Sequence, residues 1–234
     1  MYKLMQSIKE RIYRAILAIL KSELQLTLSE LSKLTLIEKE TLRSLLNPKF
    51  FQINNDEIRI TDKVSLAYDM INVGLSVEEV LYSLGWRDVE AFCAEYFEKL
   101  NFKVVRNLRF KRSVERYEID VIAYKHPYVF SIDCKRIKRI NEYLIEQAAL
   151  KQLVRTIALS YEIWRFTNLI GLRREPITLI PLVLLSSLSK PRLISGVPVI
   201  PIGLLDSFLK SFENYLDNYG GEIKSIKTVP PRRI

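Results

Sequence analysis

The sequence is poor in the residues on which most zinc and redox chemistry depends. Among 234 residues there are two cysteines, Cys93 and Cys134, and one histidine, His126. A zinc ribbon or finger is therefore excluded, and so is an iron–sulfur cluster held by four cysteines of one chain. No disulfide framework is available, which fits a reducing, cytoplasmic setting. Long apolar runs are missing as well. Charges interrupt every apolar stretch near the N-terminus, so no signal-peptide pattern appears. The run Ile177–Leu185 is too short to span a bilayer and contains Pro181, so it reads as a buried strand. The expectation is a soluble protein without a membrane span. Glycine is scarce, at 7 residues. With the abundance of Ile, Leu, Lys, Arg and Glu, this points to a thermophile.

What is present is apolar bulk and positive charge. Hydrophobic residues make up 48% and charged residues 27%, a globular composition that can bury a sizeable core. The net charge of +9 calls for an acidic partner, nucleic acid being the commonest and an anionic membrane the next. That charge is unevenly placed. Residues 1–85 hold 11 basic and 11 acidic side chains, whereas residues 86–234 hold 25 and 16. A polyanion-binding surface is therefore expected mainly on the second part.

The two parts also differ in pattern. In residues 1–85, Ile8–Leu20 has helical spacing. Thr27–Leu28–Ser29–Glu30 and Thr35–Leu36–Ile37–Glu38 each have the form of a capping box that opens a helix. Phe51–Ile53 and Ile58–Ile60 flank a polar turn and predict a hairpin. Two short helices follow, ending at Gly74 and Gly85, where C-terminal glycines belong. Three helices and a hairpin resemble a winged helix in order. The second helix of its helix-turn-helix, about Glu38–Leu46, carries Lys39 and Arg43 as candidate DNA contacts. The neutral charge of this part equally admits dimerisation or protein docking.

From Gly85–Trp86 onward the pattern becomes α/β: a helix Asp88–Leu100, strands Lys103–Phe110, Tyr117–Tyr124 and Tyr128–Cys134, and a long helix about Glu142–Tyr161. Strands Ile177–Leu185 and Val197–Ile202 and a helix Asp206–Tyr219 complete it. The order predicts a mixed central sheet flanked by helices, in a domain of residues 86–234.

Two strands carry acids in a pattern with chemical meaning. In Tyr117–Glu118–Ile119–Asp120–Val121 the apolar residues share one face and the acids the other. In the next strand Asp133 and Lys135 are two apart and so share a face, with Cys134 pointing to the opposite side. Acids within apolar strands are costly unless paired or bound to a cation. Clustered carboxylates suit hard ions such as Mg²⁺ or Mn²⁺, which polarise a phosphodiester and acidify water. A neighbouring lysine would orient that water and offset phosphate charge. On the preceding helix, Glu90 lies at the edge of the apolar stripe of Val89, Phe92, Cys93, Tyr96, Phe97 and Leu100, placed to reach the sheet. On the long helix, Leu150, Val154, Ile157 and Tyr161 read as the buried stripe, and Gln147 continues it toward the site. Glu118 reads as an arginine partner or a second metal ligand, and His126, beside Pro127, as a surface turn residue.

Asp120 followed by Asp133–Cys134–Lys135 resembles the PD-(D/E)xK motif of restriction-endonuclease-like nucleases. In register the chain is similar to Mrr-type restriction enzymes and archaeal Holliday-junction resolvases. In that family a helical glutamate precedes a lysine–leucine–small–aromatic turn, which Lys99–Leu100–Asn101–Phe102 matches, with Glu90 twelve residues before Phe102. The resemblance covers about residues 86–205. It departs at Arg116–Tyr117–Glu118–Ile119, where a glycine-rich approach is usual, and at Asp133, where glutamate is commoner. It implies Glu90, Asp120, Asp133 and the backbone carbonyl of Cys134 as ligands of Mg²⁺ or Mn²⁺, Lys135 and Gln147 as catalytic partners, and 5′-phosphate products.

Basic residues flank this set: Lys103, Arg106, Arg109, Lys111, Arg112 and Arg116 before it, and Lys135, Arg136, Lys138 and Arg139 after it. Phosphate contacts account for such a placement. The reading is a metal-dependent DNA endonuclease acting on double-stranded or branched DNA, with a homodimer implied for branched substrates. The alternatives are a non-catalytic DNA-binding regulator on the same fold and an RNA-directed nuclease.

Overall fold

The computed structural model describes residues 2–22, 24–136, 141–186, 190–219 and 222–231. The chain divides by packing into two units, Met1–Asp88 and Val89–Ile234.

In the first unit, helices α1 (Tyr2–Lys21), α2 (Leu28–Thr35) and α3 (Lys39–Leu45) precede a hairpin of β1 (Phe51–Asn54) and β2 (Glu57–Ile60). Helices α4 (Lys63–Asn72) and α5 (Val77–Ser83) follow. Ile12, Ile16 and Ile19 recur at helical spacing on α1 and are buried, as are Leu28, Leu31, Leu42 and Ile58. Thr27 caps α2, its hydroxyl accepting the Glu30 N–H at 3.1 Å. Thr35, by contrast, opens no helix. It is the last residue of α2, fully buried, with its hydroxyl donating to the Leu31 carbonyl at 2.6 Å. Leu36 then turns the chain with φ 54°, and Glu38 stands at the start of α3 without a side-chain cap. A capping sequence was thus spent on ending a helix, because Thr35 was needed in the core.

The second unit runs α6 (Trp86–Lys99, its first turn straddling the division), β3 (Lys103–Arg112), β4 (Glu115–Lys125), β5 (Tyr128–Lys135), α7 (Glu142–Glu162) and α8 (Thr167–Ile170). Then come β6 (Ile177–Leu185), β7 (Arg192–Ile194), β8 (Val197–Pro201), α9 (Leu205–Tyr219) and β9 (Ile226–Thr228). These strands form one mixed sheet in the order β3-β4-β5-β6-β8-β7, with β9 on β6. The pairs β5–β6 and β6–β8 are parallel and the rest antiparallel. The fold is α/β, a mixed sheet flanked by helices. Strands β7 and β9, three residues each, were too short to show a period in the sequence. Among the described residues no helix is long and apolar enough to cross a membrane.

Alternation along β5 assigns the two faces of the sheet. Phe130 meets Phe97 of α6 and Phe212 of α9, with ring centroids 6.0 and 4.9 Å away. Ser131 and Asp133, on the other face, meet α7. Helix α7 lies close to the sheet through small and polar side chains: Ala148, Ala149, Gln152, Thr156, Ala158 and Leu159 are buried. The stripe expected to be buried, Leu150, Val154, Ile157 and Tyr161, is exposed instead. Two stripes on this helix have apolar spacing, and the one with smaller residues is the one a close helix–sheet contact admits.

Candidate functional site

The site sits where β4 and β5 part. Their ladder pairs Val121–Lys125 with Tyr128–Ile132 and stops there. Strand β5 continues alongside β6 as far as Lys135 opposite Leu185. On its other side β4 pairs with β3, but Asn107 and Asp120, opposite one another, drop out of that ladder, and Asn107 has φ 52°. The irregularity also breaks the side-chain alternation read from the sequence. Ile119, Ile122 and Tyr124 all pack into one cluster with Ala158 and Leu159, although strict alternation would set Ile119 apart from the other two.

The fork leaves the backbone of β5 needing a partner, and Asp120 supplies it. Its Oδ2 accepts the Cys134 N–H at 2.9 Å. Asp133 is 1% exposed. Its Oδ1 accepts from Lys135 Nζ at 2.9 Å and from Arg155 Nη1 at 2.7 Å. Its Oδ2 is buried with no hydrogen-bond partner among the described residues. Glu90, on α6, is also buried. Burial and then the negative charge of Asp120 push its pKa up to about 7, against the pull of Arg106 and Lys135. Burial, followed by repulsion from Asp133, raises the Asp120 pKa too, opposed by the Cys134 N–H, Lys135 and Arg155. The acids thus form a chain, Glu90 to Asp120 to Asp133, in which each feels the next.

Cys134 is buried against Cys93 of α6, both as free thiols. Hydrogen bonding to Cys93 and then burial hold its thiol well above the usual range. Gln147 is half-buried on α7. It is Arg155, two turns further along, that α7 sends to Asp133. The expected extension of a buried stripe to Gln147 fails because that stripe is the outer one. Sequence reasoning missed both Arg155 and Gln152. Gln152 is fully buried and donates to the Ser131 carbonyl and hydroxyl at 2.7 and 2.8 Å, holding α7 against the strand that carries Asp133. A glutamine four residues before Thr156 on the small-residue stripe was the available signal.

The flanking basic residues have varied surroundings. Lys111 and Arg116 are exposed and opposite each other on β3 and β4. Arg109 pairs with Glu118 at 3.1 Å, which gives Glu118 an arginine partner. The Arg112 guanidinium lies 3.4 Å from the centre of the Tyr161 ring. Arg136 is half-buried, and Lys138 and Arg139 lie outside the described residues. His126 lies in the β4–β5 turn, half-buried, with Nε2 3.0 Å from the exposed Glu175. In the first unit, Lys39 bonds Asp56 at 3.1 Å and Ser29 at 2.6 Å, and Arg43 donates to the Asn55 carbonyl at 2.8 Å. Both candidate DNA contacts of α3 are thus tied to the β1–β2 turn.

Among the described residues, no three His, Cys, Asp or Glu side chains converge as a ready metal cage. The donor set nonetheless suits a hard cation in kind. Its groups are carboxylates in a buried setting, one oxygen of Asp133 has no partner among the described residues, and burial, reinforced by a neighbouring acid, raises the pKa of Glu90 and of Asp120.

No protein-family model matches the chain, and no curated protein matches it. Among solved structures, a protein of unknown function, AF1548, is 15% identical with a TM-score of 0.30, over 43% of this chain and 46% of its own. Protein VC1899 from Vibrio cholerae is 12% identical with a TM-score of 0.31, over 94% of this chain and 52% of its own. The chain spans about half the length of each. Likeness at this level carries no functional argument.

Proposed function

We propose that the chain is a metal-dependent DNA endonuclease of the restriction-endonuclease-like class, with a winged-helix-like N-terminal unit. One observation carries the reading: the fork between β4 and β5 gathers Asp120, Asp133 and Lys135 beside Glu90, and leaves the buried Oδ2 of Asp133 without a partner. A buried unpaired carboxylate oxygen is expensive, so its retention needs a reason beyond structure.

Asp133, Asp120 and Glu90 would hold Mg²⁺ or Mn²⁺. When bound, the ion supplies Lewis-acid polarisation of the phosphodiester and offsets its charge. Lys135, whose side chain is 42% exposed, reaches solvent and Asp133 together. It orients the attacking water and balances charge at the phosphate. Arg155 fixes the Asp133 carboxylate from the α7 side. Lys111 and Arg116 are exposed cations on β3 and β4 suited to phosphate contact.

A second reading has its own support. Lys135 and Arg155 both spend their charge on one oxygen of Asp133, an arrangement that a non-catalytic DNA-binding regulator would also keep.

The test is cleavage of linear, plasmid, single-stranded and branched DNA with Mg²⁺, with Mn²⁺ and with EDTA, beside the Asp133→Ala variant. Metal-dependent cutting that the substitution abolishes supports the enzyme and identifies its substrate. DNA binding without cutting in either metal overturns it in favour of the regulator.

A further inference from the structure

Helix α7 carries an exposed apolar stripe on its outer face. Tyr143, Gln147, Leu150, Val154, Ile157 and Tyr161 follow one another at spacings of four and three residues in strict alternation. That is the a/d seam of a coiled coil. Five of the six are large apolar or aromatic side chains between 36% and 66% exposed, Tyr161 at the end of the row carrying the Arg112 guanidinium on one ring face, and Gln147 is half-buried. The seam lies directly opposite the stripe of Ile145, Ala149, Gln152, Thr156 and Leu159 that packs on the sheet. Its period of 3.5 residues is kept over about 28 Å of helix, at 1.5 Å per residue. A monomer has no use for so regular an apolar face on solvent.

We propose that this seam pairs with the same seam of a second copy of the chain, as two parallel helices. The heptad assignment identifies the partner. Val154 falls at an a position and Leu150 at d, the combination that favours two parallel strands; Ile157 takes the next d, the tyrosines close the two ends, and Gln147 is a polar residue at a that disfavours other registers. The flanking charges agree. Glu146 is at g and Lys151 at the following e, five residues on, and both are exposed. In a parallel pair Glu146 of each copy reaches Lys151 of the other, whereas an antiparallel pair would bring the two copies of Lys151 together near the two-fold axis. The seam is short, so the dimer is of modest affinity and forms because each helix is already held rigid by its own domain.

The experiment is sedimentation of the full chain across a range of concentrations, with three variants. The wild type is expected to form a dimer that dissociates on dilution. Val154→Lys should weaken it by more than about tenfold, since an unpaired charge enters an apolar seam, with its circular dichroism unchanged, and its melting unchanged at dilutions where the wild type is monomeric, because the position is exposed. Glu146→Lys alone should weaken it, and adding Lys151→Glu should restore it. Val154→Cys should form a disulfide-linked dimer on oxidation, because a parallel pair sets each a position against itself. A wild type monomeric at every concentration overturns the proposal and leaves the seam to another occupant. A dimer untouched by Val154→Lys overturns it, and so does crosslinking that needs Leu150→Cys mixed with Val154→Cys.

Discussion

The two units treat their acids in opposite ways. In the first, Asp56 sits at the β1–β2 turn, 45% exposed, with Lys39 and Ser29 sharing its oxygens. These contacts draw its pKa down, the Ser29 hydroxyl first and Lys39 next. Every charge there has water available, and the pair tethers a helix to a hairpin. In the second unit, Asp133 is buried with one oxygen accepting two hydrogen bonds and the other bare among the described residues, while burial and then a neighbouring acid raise the pKa of Glu90 (through Asp120) and of Asp120 (through Asp133). An exposed pair that is satisfied reports on structure. A buried set held against its own repulsion reports on something it is kept for.

Substitution should separate the two arrangements, and the largest effect is expected at the fork. Asp133→Asn, nearly isosteric, should lower DNA cleavage at least about a thousandfold, as for loss of a group acting on the transition state, while leaving the fold intact. Equal cleavage by wild type and variant would remove the fork from the chemistry. Next comes Arg155→Met, which leaves Asp133 with Lys135 alone. Cleavage and metal affinity should both fall by roughly 10–100-fold, the usual consequence of losing a residue that orients a ligand, with partial rescue by Arg155→Lys. A fall in stability with unchanged metal affinity would make Arg155 purely structural.

The pH dependence follows from Glu90. In the folded protein it keeps its proton up to about 7, and in the unfolded chain it loses it near the ordinary 4.5. Between those values the folded state binds more protons, so this group's contribution to stability falls as pH rises through that window. A divalent ion must displace the same proton, so metal affinity should rise with pH until about 7 and then level. Thermal melts with and without Mg²⁺ across that range check both, and Glu90→Gln should flatten both. The smallest effect belongs to the first unit. Lys39→Ala should barely move the melting temperature, since exposed ion pairs contribute little. If α3 touches DNA, the same variant weakens binding and reduces its salt dependence; unchanged binding would restrict Lys39 to its tether.

Much of the site's strand placement was legible because burial on a sheet imposes a period of two. Asp133 and Lys135 on one face and Cys134 on the other follow from that period alone. Two things hid the rest. The alternation fails at Asp120, where a left-handed Asn107 stands opposite it, and no single-strand pattern announces such a break. On α7 the hydrophobic pattern pointed outward. Between Ile145 and Leu159 the inner stripe is built of alanines, Gln152 and Thr156, small or polar and so slow to stand out, whereas Leu150, Val154 and Ile157 face solvent. Reading the larger residues as core drew attention to Gln147 and away from Arg155. In the first unit Thr35 shows the same ambiguity, since a threonine three residues before a glutamate can open a helix or close one.

The central claim is that the acids at the fork hold a divalent ion, and calorimetric titration of the full chain with Mn²⁺ near pH 7.5 tests it most directly. The account predicts saturable binding that Asp133→Asn and Asp120→Asn each abolish while the melting transition of the ion-free protein persists. Absence of binding by the wild type, or binding that survives both substitutions, would contradict it.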